Sequence, residues 1–237
     1  MKQNQGWTIL YRMGGIAALL AALLFRRNIG AEISLFTGVD AIPKSAEGWY
    51  DLLHTNPFIG LSFLAVFDLV NYALVGVVFL ALGAAFWQAN KSVVTVALAS
   101  GLVGIAVNLA SNISLTMLSL SQQYSTATSA AQKSALLAAG QAVLPTNDPL
   151  AAYPSTGAYV SLLLIALAGM LFSLNLLPSH RVTAIVGLLA SGCDLAYCLT
   201  FILAPVLPVY LFLAVAGLFW MTWHLLVARI LFKHSKE

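Results

Sequence analysis

Charged residues are scarce in this sequence: only 8% of its 237 residues are Asp, Glu, Lys or Arg. Soluble globular domains carry about 25% of these residues, so the chain is too apolar for a soluble fold. Hydrophobic residues make up 60% of the chain, and the mean hydropathy is +0.90. The composition therefore predicts a protein that crosses a membrane several times.

Cysteine is also scarce, which excludes a disulfide framework or a thiolate metal site. Cys193 and Cys198 lie in one apolar stretch, where helical geometry points them away from each other. The net charge of +3 is spread along the chain and forms no basic stripe, so we expect no nucleic-acid partner.

The motifs of nucleotide-driven and zinc-dependent activities are absent from the sequence. It contains no G-x-x-x-x-G-K-[ST], no G-x-G-x-x-G and no H-E-x-x-H. We therefore expect no cofactor and assign no metal ligand. A hard-cation site on Asp68 and Asp194 stays open, although two carboxylates are few for Ca²⁺.

Six apolar runs are long enough to cross the membrane as helices, which takes about 20 residues for roughly 30 Å of hydrocarbon. The alternating pattern of barrel strands is absent, so helices must satisfy the backbone in lipid. The predicted fold class is therefore all-α, a polytopic six-helix bundle that forms a single transmembrane domain over 1–237. The predicted spans cover about 7–27, 58–87, 92–120, 156–177, 181–203 and 207–232.

The basic residues predict the direction of the spans, because cytoplasmic loops carry an excess of Lys and Arg. One set of span ends holds Lys2, Arg12, Lys91, Arg181, Arg229, Lys233 and Lys236. The opposite ends mix basic with acidic residues. We therefore expect a multi-pass protein of the cell (inner) membrane with both termini in the cytoplasm.

Two segments between the predicted spans are long enough to fold. In 28–57, Trp49, Leu52 and Leu53 favour a short amphipathic helix at the membrane interface. Residues 121–154 read as an Ala-rich helix to about Leu144 followed by a loop. A lid over the bundle is one interpretation, and ordinary connections are the favoured one.

Asp68 stands in the middle of an apolar run, in the stretch "AVFDLVNYALVGVVF". An ionised carboxylate at the centre of a span costs roughly 2.5–3.5 kcal/mol, so such groups face the bundle interior or a wet cavity. Asp68 lies about ten residues into the second predicted span. Asn71 and Tyr72 follow it at i+3 and i+4, on the same helical face.

Two further predicted spans carry polar faces at similar depth. Asn108, Ser111 and Asn112 share a face in the third span, and Asp194 and Tyr197 share one in the fifth. We predict that these faces meet in a polar cavity in the outer half of the bundle, which binds a ligand. The candidate ligand-binding residues are Asp68, Asn71, Tyr72, Asn108, Ser111, Asn112, Asp194 and Tyr197, with Arg26 or Arg27 as gate or counter-charge to Asp68.

Not every polar residue in this set points to a ligand. Interhelical hydrogen bonding is the favoured interpretation for each asparagine and serine, and ligand binding for the two aspartates. His224, with Trp220 and Trp223, is interpreted as part of an interfacial aromatic belt, far from the polar faces.

The stretches "YRMGGIAALLAALL", "DLVNYALVGVVFLALG" and "SLSQQYSTATSAAQKSALLAAGQAVL" carry a resemblance. They resemble a bacterial family of six-helix integral membrane proteins known only as a domain of unknown function. The resemblance covers most of the chain and implies a six-span protein of the bacterial inner membrane, with no activity attached. The pair "FDLVNY" and "CDLAYC" is also compatible with a weak 3+3 inverted repeat, a recurring transporter plan.

Three functions fit these observations. The leading hypothesis is a transporter or binder of a small solute or cation, with membrane lipids as its other partners. The second is a membrane enzyme acting on a lipid or isoprenoid group, with Asp68 or Asp194 as general acid or base. The third is a structural or partner protein without a ligand. The sequence leaves the oligomeric state open.

Overall fold

The computed structural model describes residues 5–24, 42–147, 155–203 and 210–236, and all regular elements in these ranges are helical. This confirms the predicted all-α class. The helices are α1 (Gln5–Leu24), α2 (Ala46–Thr55), α3 (Pro57–Phe63), α4 (Val66–Phe86), α5 (Lys91–Ser111), α6 (Ser114–Thr126), α7 (Ala130–Val143), a 3-10 turn (Leu144–Asn147), α8 (Thr156–Leu176), α9 (Arg181–Leu203) and α10 (Tyr210–His234).

Six stretches of the described chain are long and apolar enough to cross a membrane, in agreement with the predicted number. The chain is therefore a multi-pass helical membrane protein. The stretches are Gly6–Leu24, Val66–Phe86, Lys91–Thr126, Thr156–Leu176, Arg181–Thr200 and Leu211–His234.

The second predicted span, 58–87, is not one continuous helix. Pro57 opens the short helix α3, and the Asn56 side chain caps it by accepting a hydrogen bond from the Ile59 N–H at 3.3 Å. Ala65 then adopts a positive φ of 61°, which is costly for an L-residue and interrupts the helix before α4 begins at Val66.

This break corrects the predicted position of Asp68. The residue lies in the first turn of α4, where its N–H donates to the Ala65 carbonyl at 3.0 Å, and its side chain is exposed. It is therefore not ten residues into a continuous span. A carboxylate at this position is stabilised by the positive end of the helix dipole, because the first N–H groups of a helix have no partner within it.

The third predicted span, 92–120, is also interrupted, between Ser111 and Ser114. Asn112 joins the two interruptions: its Nδ2 donates to the Ala65 carbonyl at 3.1 Å. Its Oδ1 accepts from the Ser114 N–H at 3.0 Å and from the Ser114 hydroxyl. One side chain thus satisfies backbone groups at both helix breaks.

The described residues form two compact units. The first comprises α1, Val70–Leu109, α8 from Tyr159 onward, α9 and α10; the second comprises the described parts of Asn28–Leu69 and Ala110–Ala158. Within the first unit, α10 packs against both α1 and α9. Small residues allow the close approach, since a Cβ at Gly15 of α1 would come within 2.8 Å of the Phe232 ring of α10.

In the second unit, α2 packs on α3, α6 and α7. Trp49 and Leu53, predicted to lie at the membrane interface, are instead buried in a cluster with Ile113 and Met117. The Tyr50 hydroxyl donates to the Leu136 carbonyl of α7 at 2.8 Å, and burial raises the pKa of that hydroxyl. The predicted Ala-rich helix is confirmed at its C-terminal end as α7, but residues 121–126 belong to α6, so the helix does not run unbroken from 121.

Replacing Asn112 tests its role at the two breaks. We expect Asn112→Ala to destabilise the protein by about 1–3 kcal/mol, because backbone groups at both interruptions lose their partner. Unfolding of the purified protein in detergent measures the effect. Thr116→Ala, at an exposed position on α6, is the control and should change stability by less than about 0.5 kcal/mol. Equal effects of the two substitutions would contradict this role.

Candidate functional site

The predicted binding residues fall in different parts of the structure. Asp68 belongs to the second compact unit, whereas Asn71, Tyr72 and Asp194 belong to the first. Arg26 and Arg27 lie outside the described residues, so their predicted role as gate or counter-charge stays a prediction. The single cavity lined by all the polar faces also stays a prediction.

The polar residues of α5 and its end mainly join neighbouring elements. Asn108 Nδ2 donates to Ser161 Oγ of α8 at 3.4 Å, within the first unit. The Ser111 side chain occupies the space that a Cβ at Gly157 would fill, within the second unit. Together with the bonds of Asn112, these are the contacts of interhelical packing.

Asp194 is the buried carboxylate of the first unit, with 5% of its surface exposed. Its Oδ2 accepts a hydrogen bond from Trp220 Nε1 of α10 at 2.7 Å. Tyr197, one turn further along α9, is also buried and packs beside Cys198 and Leu213. The two residues predicted to share a face of this helix are therefore both directed into the unit.

Three residues of α10 belong to the surroundings of Asp194: Trp220 bonds to it, and Trp223 and His224 lie against Trp220. The sequence analysis does not include them among the candidate site residues. The sequence pattern predicts an interfacial belt of Trp220, Trp223 and His224, but His224 is only 1% exposed and Trp223 is fully buried. His224 Nδ1 lies 2.8 Å from the Trp220 carbonyl oxygen. The Trp223 ring centroid lies 5.3 Å from that of Trp220 and 5.0 Å from that of His224.

The interpretation as a belt is therefore wrong, and so is the expected distance of His224 from the polar residues. The signal was present in the spacing: residues at i, i+3 and i+4 share one helical face. What the spacing does not show is that this face of α10 packs against α9 and not against lipid.

Two glycines make room for the two indole rings. A Cβ at Gly169 of α8 would meet the Trp220 ring and would lie 2.9 Å from Ser191 Oγ. A Cβ at Gly187 of α9 would meet Ser173 Oγ and Trp223 Nε1. Only residues without a side chain allow the indoles and the serines to approach these helices so closely.

We call this group the Asp194 cluster; it consists of Ser173, Ser191, Asp194, Trp220, Trp223 and His224. Ser173 Oγ, Ser191 Oγ and Trp223 Nε1 are buried and have no hydrogen-bond partner among the described residues. Buried polar groups are nearly always hydrogen-bonded, so three such atoms in one cluster point to water or ligand there.

The Asp194 cluster extends toward one end of the helices. Asp194 lies about 20 Å along α9 from Arg181, and Trp220 lies about 21 Å before the end of α10, taking 1.5 Å per residue. Ser173 lies only about 5 Å before the end of α8. The buried polar groups thus run from the middle of α9 toward the α8–α9 turn, the end predicted to be cytoplasmic, whereas the predicted cavity was in the outer half.

The cluster offers hydrogen-bond and proton chemistry. A carboxylate accepts, an indole N–H only donates, and serine and histidine do both. Ser191 Oγ has no partner in the described chain, so the cluster lacks the bonded Ser–His pair of a nucleophilic triad. Within the described residues, no group of three or more His, Cys, Asp or Glu is placed to hold a metal ion.

Comparisons of this chain with models of known protein families, with curated proteins and with solved structures find no match. The resemblance to a six-helix family of unknown function therefore stays a prediction.

Gly187 provides a direct test of the packing that forms the Asp194 cluster. We expect Gly187→Ala to destabilise the protein by about 1–3 kcal/mol, because the added Cβ collides with Ser173 and Trp223. Gly192→Ala is the matched control on the same helix, since nothing lies within 4 Å of the position its Cβ would take. The control should leave stability unchanged or raise it by up to about 1 kcal/mol. Unfolding in detergent compares them, and an equal loss in both variants would contradict the packing.

Proposed function

We propose that this protein is a membrane transporter that couples the movement of a small solute or cation to protons, with Asp194 as the protonation site. The observation that carries the proposal is the buried Asp194–Trp220 hydrogen bond in the middle of two apolar helices. Ionisable residues inside membrane spans mark ion pathways and proton relays, because their burial is too costly for a passive position.

A purely structural role explains this carboxylate less well. A buried polar or ionic pair contributes little net stability, and apolar residues of similar volume often replace such pairs without loss. The cluster also holds three polar atoms whose hydrogen-bonding capacity is unused among the described residues. A group that only locked two helices together would not need them.

The other members of the cluster suit a proton route. Serine hydroxyls and imidazole nitrogens both donate and accept, so each can receive a proton on one side and release one on the other. Ser191, His224 and Ser173 lie between the level of Asp194 and the α8–α9 turn. Water bound at the unused serine and indole atoms would complete the chain of hydrogen bonds.

The same proposal includes location and partners. We place the protein in the inner membrane of a bacterium, with both termini in the cytoplasm, on the distribution of Lys and Arg and on the family resemblance. The proposed proton route then opens from Asp194 toward the cytoplasm. Asp68, exposed at the start of α4, remains a candidate for contact with a cation.

Infrared spectroscopy of the reconstituted protein tests whether Asp194 exchanges a proton. We expect a carboxyl C=O band that changes with pH in the wild type and is missing in Asp194→Asn, because the amide keeps the shape but cannot ionise. Asp51→Asn, an exposed residue outside the spans, is the control and should retain the band. Retention of every titrating band in Asp194→Asn would contradict the assignment.

Vesicles that contain the protein and an internal pH dye test the coupling. We expect added Na⁺, K⁺ or Li⁺, or one of a panel of amino acids and sugars, to drive proton movement across the wild-type vesicles. Asp194→Asn should reduce this movement to the level of protein-free vesicles, and Asp51→Asn should not. Proton movement that is equal in the wild type and Asp194→Asn would overturn the proposed mechanism.

A further inference from the structure

A groove of about 1110 Å³ lies in the first unit between α1, the α8–α9 turn and α10. Its volume lies slightly above the roughly 300–1,000 Å³ typical of sites for small molecules. Leu19 of α1 forms one wall, residues from Leu225 to Lys233 of α10 form another, and Lys236 follows just beyond the end of α10. It is distinct from the Asp194 cluster, whose side chains do not line it.

The mouth of this groove is strongly basic. Arg181, Arg229, Lys233 and Lys236 line it together with His180, and none of its lining residues in the described chain is acidic. Burial and the nearby charges of His234 and Lys233 lower the pKa of His180. Four positive side chains gathered at one groove repel one another by Coulomb's law, and a bound anion would relieve that repulsion.

The deeper walls of the same groove are apolar and uncovered. On α10, Leu225, Arg229 and Lys233 follow one another at intervals of four residues, so they share one helical face, and Lys236 lies just beyond the end of that helix. Leu225 is 47% exposed, Leu19 41% and Val182 68%. One groove thus combines a basic mouth at the helix ends with apolar walls further along the span.

We infer that this groove binds one anionic glycerophospholipid, whose phosphate lies among the basic residues and whose acyl chain lies along Leu19 and Leu225. The argument is charge complementarity: basic pockets between membrane helices bind anionic headgroups, and each nearby Lys or Arg strengthens the attraction roughly fivefold. A free phosphate ion would use the basic mouth but not the exposed apolar walls.

The general excess of basic residues at one membrane face is the competing explanation. Under it, any Lys or Arg at these helix ends would attract anionic lipid to the same extent. A specific site instead requires that the basic residues of the groove matter more than others. Arg12 and Lys91 provide the comparison, since both are exposed basic residues, one on α1 and one at the start of α5, that do not line the groove.

The experiment compares Arg229→Gln/Lys233→Gln with the control Arg12→Gln/Lys91→Gln, which changes the net charge equally. The full chain is purified in neutral detergent, and binding of phosphatidylglycerol, phosphatidylcholine and inorganic phosphate is measured by native mass spectrometry and by the unfolding midpoint. We expect phosphatidylglycerol to bind and to raise the midpoint of the wild type and the control. The groove variant should bind it at least about tenfold more weakly, from the loss of two basic residues.

Three results of this comparison would overturn the inference. Equal weakening in both double variants would show general surface attraction, and phosphatidylcholine binding as strongly as phosphatidylglycerol would remove the role of charge. Inorganic phosphate stabilising as much as phosphatidylglycerol would show a free-anion site. If the groove variant does not fold, Leu225→Gln with the basic residues intact decides: it should weaken lipid binding without affecting phosphate, and unchanged lipid binding would overturn the site.

Discussion

The fit of two tryptophans of α10 into glycine positions on α8 and α9 is the constraint on which the site of the first unit depends. Trp220 occupies the space beside Gly169, and Trp223 occupies the space beside Gly187. This fit brings Trp220 Nε1 within 2.7 Å of the Asp194 carboxylate, so the packing and the hydrogen bond reinforce each other. In a membrane, where lipid is as apolar as the side chains, close packing and interhelical hydrogen bonds drive helix association.

In the second unit the helices are interrupted, and the backbone groups at the interruptions need hydrogen-bond partners. The Ala65 break and the interruption after Ser111 both expose carbonyl or N–H groups, and Asn112 bonds to each side. Non-helical backbone is tolerated in membrane proteins when it is satisfied within the protein. Asn112 is among the ligand-binding candidates from the sequence, but its bonds to the backbone at both breaks are enough to explain why a polar residue lies there.

The polar residues described above therefore fall into two groups according to the hydrogen bonds and contacts that they make. Asn108, Ser111 and Asn112 contact neighbouring elements in the way that joins helices. The Asp194 cluster contains a carboxylate and polar atoms in excess of what its contacts use, and the groove at the ends of α9 and α10 concentrates positive charge over apolar walls. Bonds that are already complete indicate packing, whereas buried or clustered polar groups with capacity left over indicate a partner that the chain does not itself supply.

The pattern of residues along the chain was enough to predict the all-helical class, the six membrane-crossing stretches, the short helix that contains Trp49 and the end of the Ala-rich helix. These are local properties, since the length of an apolar run and the spacing of its polar residues depend on neighbours along the chain. It also identified Asp194 as a residue that should not face lipid, because the cost of its charge in lipid does not depend on the fold. The packing of helices in three dimensions was needed to show that Trp220 is the partner of Asp194 and that His224 is buried beside that tryptophan. It alone showed that a break at Ala65 moves Asp68 to the start of a helix. Each of these depends on how one helix is rotated against another, or on a bond between residues far apart in sequence, which no local pattern records.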